Sequence, residues 1–278
     1  MRRISRGVYL ENIYLGVRLG NIVTKGGQFL IDTPARVEDG RDWLAAIGVY
    51  GEPRYLALLD SHQDRALGAR SFNLPRIAHD WTHQTMSNWS DTFKGGARPV
   101  GAETDNIKRI TGIRKAVPEL TFSSQMLVYL GEREIHLWHR PGPTPGSIWV
   151  VLPKEKVAFI GDAVTVAEPP FIGEADIEAW LNVIEELRSL SVSSFKLVSS
   201  RDGLIKHDDI NAMARFLRKI PPRLDRFGKE GEYPEVASKF AHQLMKSYKI
   251  PKVRGDQVQL RLQVGLTRLY NRLNPPGT

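Results

Sequence analysis

Apolar residues in the first 160 positions come in short runs closed by Gly, Pro or Asp, a punctuation that reads as strands. Residues 7–31 carry GVYLENIYLGVRL, NIVTK and QFLID, broken by Gly20 and Gly26-Gly27, the pattern of a β-meander whose last strand ends at Asp32. VEDGRDWLAAIG follows as a helix, PRYLALLD as a buried strand and LPRIAHD as another short strand. Residues 82–117 are polar and mixed, a covering of loop and helix. Strands return over 120–139 around Gly131-Glu132, then in IWVVLP and KVAFIGD, joined at Pro153-Lys154-Glu155. DIEAWLNVIEELRSL is amphipathic with a carboxylate in its first turn, and FKLVSS is a last strand before Arg201-Asp202-Gly203. From residue 206 the spacing is helical: KHDDINAMARFLRKI, then YPEVASKFAHQLMKSY after Pro221-Pro222 and a Gly-rich turn. In DQVQLRLQVGLTRLYNRL, Val258, Leu260, Leu262 and Val264 alternate, but Leu262, Leu266, Leu269 and Leu273 keep the helical interval, so the segment reads as helix. The fold class is α/β.

The chain of 278 residues contains no cysteine, which excludes disulfides, iron–sulfur clusters, zinc ribbons and thiolate nucleophiles. Any metal must take His, Asp or Glu. No run of about 18 apolar residues occurs and the basic start lacks an apolar stretch, so neither a membrane span nor a secretory leader is expected and a cytoplasmic location is the default. The net charge of +8 is uneven. Residues 215–278 hold 14 Lys and Arg against 5 Asp and Glu, or +9, which leaves −1 for the rest. Solvated helix faces are the ordinary reading of such a tail. Nucleic-acid binding through it is disfavoured because no aromatic-interleaved motif accompanies it.

Five landmarks stand in order: LIDT; the strand followed by Asp60-Ser61-His62-Gln63-Asp64-Arg65; PGPTPGS; the strand end FIGD; and SSRDG. In sequence and spacing the chain resembles the metallo-β-lactamase-fold superfamily over about residues 7–220. The resemblance implies a four-layer αβ/βα sandwich, two mixed sheets face to face with helices outside, and a site along the edge where strand ends meet. In typical members of that superfamily a dinuclear zinc or iron centre binds a hydroxide that attacks an ester, thioester, amide or phosphodiester. Here the family's His-x-His-x-Asp-His pattern is Asp60-x-His62-x-Asp64-Arg65, its Gly-His-Thr turn is Gly142-Pro143-Thr144, and its Gly-His-Gly is Arg201-Asp202-Gly203. Asp162 keeps the place of the carboxylate that bridges the two metals. Proline offers no donor atom.

One imidazole, His62, is therefore expected to face Asp60, Asp64, Asp162 and Asp202, a set that needs compensating charge. Arg65, with Arg201, is expected to supply it by pairing with Asp64, Asp162 or Asp202, leaving a cleft without cofactor that binds an unidentified small molecule. The alternative is a hydrolase in which Asp60, His62 and Asp162 hold one divalent cation (Mn, Fe, Mg or Zn), with Asp64 and Asp162 in catalytic roles. Asp32 is expected to accept hydrogen bonds that hold the site loops. His79, His83, His136 and His139 read as structural. Trp81, Trp89, Phe93 and Phe171 are candidates for an apolar wall. The organisation expected is a domain over 1–220 and a helical extension over 221–278. That extension packs its apolar face on the sandwich or on a second copy of the chain, and its Lys and Arg turn to solvent.

Overall fold

The computed structural model describes residues 1–94, 107, 110–227 and 233–275. Parts of the segments read as a covering loop (82–117) and as the Gly-rich turn lie outside the described residues. Two mixed sheets form the centre. The first runs in sequence order through β1 (Arg2–Ser5), β2 (Val8–Glu11), β3 (Leu19–Thr24), β4 (Gly27–Ile31), β5 (Pro53–Ala57), β6 (Arg76–His79) and β7 (Leu120–Phe122). The second comprises β8 (Gln125–Leu130), β9 (Arg133–His139), β10 (Ile148–Leu152), β11 (Val157–Phe159), β12 (Lys196–Ser199) and β13 (Gly203–Leu204), ordered β13-β12-β11-β10-β9-β8.

Strand alternation sends neighbouring side chains to different layers. Phe29 and Ile31 of β4 join Ile148, Val150, Phe159 and Val198 between the sheets, while Leu30 packs outward with Trp43 and Ile47 of α1 (Val37–Ile47). On the other side Trp149 and Val151 meet Trp180, Val183 and Ile184 of α4 (Ile177–Val192) and Ile210, Met213 and Phe216 of α5 (His207–Leu217). Three apolar seams between four layers make the αβ/βα sandwich.

Asp176 caps α4 by accepting from the Ala179 amide at 2.9 Å. Pro221-Pro222, read as a break, instead opens a further helix, α6 (Pro221–Phe227). Proline suits a first helical turn, where its missing N–H has no partner to lose. The extension continues as α7 (Tyr233–Met245) and α8 (Gly255–Leu273), so the helical spacing of Leu262, Leu266 and Leu269 prevails over the alternation. Val236, Phe240 and Leu244 of α7 and Leu262, Leu266 and Leu269 of α8 are buried in the same cluster as α4 and α5. Among the described residues no helix is long and apolar enough to cross a membrane.

One expectation for the extension is overturned in part. Arg254 and Arg261, partly buried, and Arg268, exposed, are spaced by seven and line a cavity beside the sandwich. Arg254 sits at the N-cap of α8, and Arg261 and Arg268, seven residues apart, fall on one face of that helix. Leu266 is fully buried in the shared cluster. Leu266→Ala should cost about 2–5 kcal/mol in urea unfolding, through a single transition of the whole chain. A separate early transition of the extension would show that α7 and α8 do not share the core.

Candidate functional site

Parallel pairing of β4 with β5, and of β11 with β12, brings the C-terminal ends of each pair to one edge. Asp32 follows β4, Asp60 lies just past β5, Asp162 just past β11 and Arg201 just past β12. The edge is tied across the two sheets. The Ile148 amide donates to the Leu59 carbonyl at 2.9 Å, and the Ser200 hydroxyl donates to Asp32 Oδ2 at 2.9 Å. Asp32 adopts φ 57°, a left-handed conformation that Asp tolerates, and its Oδ1 also accepts from the Leu59 amide at 2.9 Å. It thus accepts from both strand-end loops.

A one-turn helix, α2 (Gln63–Ala66), carries Asp64 and Arg65 into the interior. Gly68 follows where the chain touches Pro34: a Cβ there would lie 1.8 Å from the Pro34 carbonyl oxygen, so only glycine permits the approach. The Arg65 carbonyl accepts from the Thr33 amide at 3.0 Å and its hydroxyl at 2.9 Å. These contacts leave Arg65 0% exposed. Its Nη1 donates to Asp162 Oδ1 at 2.5 Å, Nε to Asp60 Oδ1 at 3.2 Å and Nη2 to Asp60 Oδ2, while Nε is 3.6 Å from Asp32. Arg201 binds the other side. Its Nε donates to Asp162 Oδ1 at 3.1 Å, Nη2 to Asp64 Oδ1 at 3.1 Å, Nη1 to Asp64 Oδ2 and Nη1 to the Gly16 carbonyl at 2.9 Å. His62 Nδ1 lies 2.9 Å from Asp60 Oδ2 and 3.1 Å from Arg65 Nη2.

Burial is the largest single effect and pushes each of these carboxyls up, but the surrounding positive groups together outweigh it (Arg65 and His62 at Asp60; Arg201, His62 and Arg65 at Asp64 and Asp162), so all three are held below the usual carboxylate range. Asp32 is pushed up to about 6 by burial, against the pull of Arg65. Burial lowers His62, and the Asp60 carboxylate more than reverses it, so the imidazole stays charged to higher pH than usual. Two guanidiniums and an imidazolium then face three carboxylates, a balanced set.

Asp202 departs from the expected convergence. Its carboxylate turns to the loop after Asp162 and accepts from the Val166 amide at 2.7 Å and the Ala167 amide at 3.0 Å. Burial raises its pKa, since no guanidinium pairs with it. Asp60, His62 and Asp162 each present one possible ligand atom, all within 4.8 Å of one another, the one such grouping among the described residues. Pro143 is buried in its turn, where the Thr144 amide donates to Ser147 Oγ at 3.1 Å.

The cluster forms one wall of a cavity of about 760 Å3 between the sandwich edge and α8. Trp89, Phe93 and Phe171 line it, but Trp81 is 52% exposed elsewhere. His79 and His139 stack at 3.6 Å away from the cavity, with Nε2 atoms on the carbonyls of Ser123 and Pro145. His83 meets the Pro118 carbonyl at 2.8 Å, and His136 lies in β9. The lining also includes residues that sequence reasoning missed: Ile13 and Leu15 from the loop after β2, Glu168, and the α8 arginines. Glu168 accepts from Arg254 Nε at 2.7 Å and Nη2 at 2.9 Å, and from Arg261 Nη1 at 3.2 Å. The signal for the arginines was their seven-residue interval.

A sandwich of this layering, with its cluster on the shared strand-end edge, is the architecture of the metallo-β-lactamase class. The metallo-beta-lactamase superfamily profile matches residues 61–193 of this chain. A metallo-beta-lactamase from Pontibacter korlensis is 18% identical over 78% of this chain and 97% of its own, with a TM-score of 0.61. A metallo-beta-lactamase family protein from Thermus thermophilus covers 96% of this chain and 93% of its own at 14% identity and a TM-score of 0.67. A double mutant of the sec-alkyl sulfatase PisA1 covers 98% of this chain with 50% of its own at 15% identity and a TM-score of 0.70. At these identities the likeness is one of fold. A search of curated protein sequences found no match.

The shifted groups set a pH profile. Asp60, Asp64 and Asp162 have depressed pKa values, so their stabilisation is complete above about pH 4 and is lost as pH falls. The raised Asp32 works oppositely: the fold binds its proton more tightly than the unfolded chain, and stability declines as it ionises between about pH 4 and 6. The contribution of His62 is full below about pH 6.5 and is lost as pH rises through its elevated value. The thermal unfolding midpoint should therefore peak at about pH 4–5, and Asp32→Asn should flatten the decline above the peak. A wild-type midpoint that climbs from pH 5 to 8 would contradict this account.

Proposed function

We propose that this protein uses its cleft to bind a small molecule and holds neither the dinuclear zinc centre expected of the superfamily nor another resident metal. The observation that carries the reading is the placement of Arg65. Its guanidinium bonds to both Asp60 and Asp162 and lies 3.1 Å from His62 Nδ1, so it touches all three possible ligands. An ion at about 2.0–2.2 Å from those atoms would press against a buried positive charge. The residues present do not fit a metal while Arg65 occupies the cluster. Arg201 in turn engages Asp64 and the remaining face of Asp162.

A second reading is supported by the closeness of the three donors: a metal-dependent hydrolase with one divalent cation, in which Arg65 swings away. Elemental analysis of protein purified without chelator separates the two. The first reading expects far less than one ion per chain and a melting midpoint indifferent to EDTA, Zn2+ or Mn2+. About one ion per chain, with destabilisation by EDTA, would establish the second.

Arg65→Ala should cost about 3–5 kcal/mol, because it leaves buried carboxylates uncompensated. With the guanidinium gone, Zn2+ or Mn2+ should restore part of that loss, a rescue that the wild type does not display. Loss of stability without metal rescue would mean that the three donors are not arranged for an ion even when free.

A further inference from the structure

The cavity walls differ in how completely their charges are already used. Asp64 and Asp162 are taken by Arg201, Glu168 by Arg254 and Arg261, and Asp202 by two backbone amides. Arg18 donates to the carbonyl oxygens of Asn12 and Val17 at 3.2 and 3.4 Å. Arg268 differs from these cations. Its guanidinium carbon lies 5.6 Å from the centroid of the Phe171 ring, and among the described residues it has no carboxylate or carbonyl acceptor. A guanidinium on an aromatic face keeps its N–H fork directed outward in the plane, free for a bidentate acceptor.

The apolar part of the wall is contiguous with it. Phe171 receives Arg268 on its ring and stands edge-on to His62 with the centroids 6.5 Å apart, so it links the charge cluster to α8. Trp89 and Phe93 line the same space, and Leu15 is 56% exposed at the cavity. Large apolar side chains left open beside a concavity mark a surface that awaits an apolar partner. About 760 Å3 lies within the range of sites for compounds of metabolite or drug size.

We propose that the ligand of this cleft is an amphiphilic organic anion, with its acidic head paired to Arg268 and its aromatic or aliphatic body laid on Phe171, Trp89 and Phe93. This rests on the reading of the cleft as a binding site, but not on the cluster being metal-free. The head is read by a cation that contributes no ion pair to the fold. The selectivity is thus for one negative charge on a hydrophobic body, and neither an inorganic anion nor a neutral hydrocarbon satisfies both walls.

The probes are 8-anilino-1-naphthalenesulfonate and its neutral counterpart N-phenyl-1-naphthylamine, which share a ring body and differ in the acidic group. Fluorescence titration of the wild-type chain should give one saturable site for the sulfonate, with at least about tenfold weaker binding of the neutral amine. Arg268→Gln should weaken the sulfonate about tenfold, leave the neutral probe unchanged and keep the melting midpoint, since Arg268 holds no acceptor in the fold. Phe171→Ala should weaken both probes. Lys246→Gln, at an exposed position just past α7, should change neither. The inference is overturned if the sulfonate does not saturate, if the two probes bind equally, or if Arg268→Gln has no more effect than Lys246→Gln. Metal content is measured on the same preparation, so a metal-bearing protein that still discriminates through Arg268 would refute the metal-free reading and leave this inference standing.

Discussion

A guanidinium removed wholly from water, with Asp60 on one side and Asp162 on the other, is the constraint on which the strand-end edge depends. Burying a charge costs several kcal/mol unless it is paired and hydrogen-bonded, and the same holds for each carboxylate. Arg65 therefore makes Asp60 and Asp162 tolerable, and they make Arg65 tolerable. Arg201 extends the arrangement to Asp64, so that elements from both sheets are joined through charge where the backbones diverge. Asp32 stands one step behind, tying the Leu59 amide to the Ser200 hydroxyl.

That edge explains how the fold supports a cleft. Parallel strand pairs release their chains at one rim, and turns there are free to vary without disturbing the three apolar seams. α8 closes the opposite side. Its leucines anchor it in the outer seam, while the residues seven apart on another of its faces carry arginines toward the cavity. The Glu168 carboxylate, bound by two of them, fixes the loop after Asp162 against α8, so cluster, loop and helix form one continuous wall.

The layering was readable in the sequence because strand alternation and helical spacing follow from local geometry. PRYLALLD, IWVVLP and DIEAWLNVIEELRSL can be placed without knowing their neighbours. The site was readable as far as position along the chain fixes it: Asp60, His62, Asp64, Asp162 and Arg201 all sit at strand ends that meet. Asp202 was misread because adjacent side chains diverge at a strand end, and the choice between cluster and loop depends on which amides lie near. Arg201 turned in and Asp202 turned to the Val166 and Ala167 amides. The role of the tail arginines was hidden for a related reason: spacing tells which residues share a helix face, but not what that face meets.

The sequence by itself determined that no cysteine chemistry is available, that the core is a mixed α/β arrangement, and that Pro143 brings no donor to the site, for these depend on residue identity and local periodicity. Tertiary structure alone decided that Arg65 pairs with Asp60 and Asp162 rather than with its neighbour Asp64, and that Arg254, Arg261 and Arg268 line a cavity. Both are pairings between groups far apart in the chain or directed by a one-turn helix. Their energies depend on burial and on distances of a few ångströms, quantities fixed only when the two sheets and α8 have closed together.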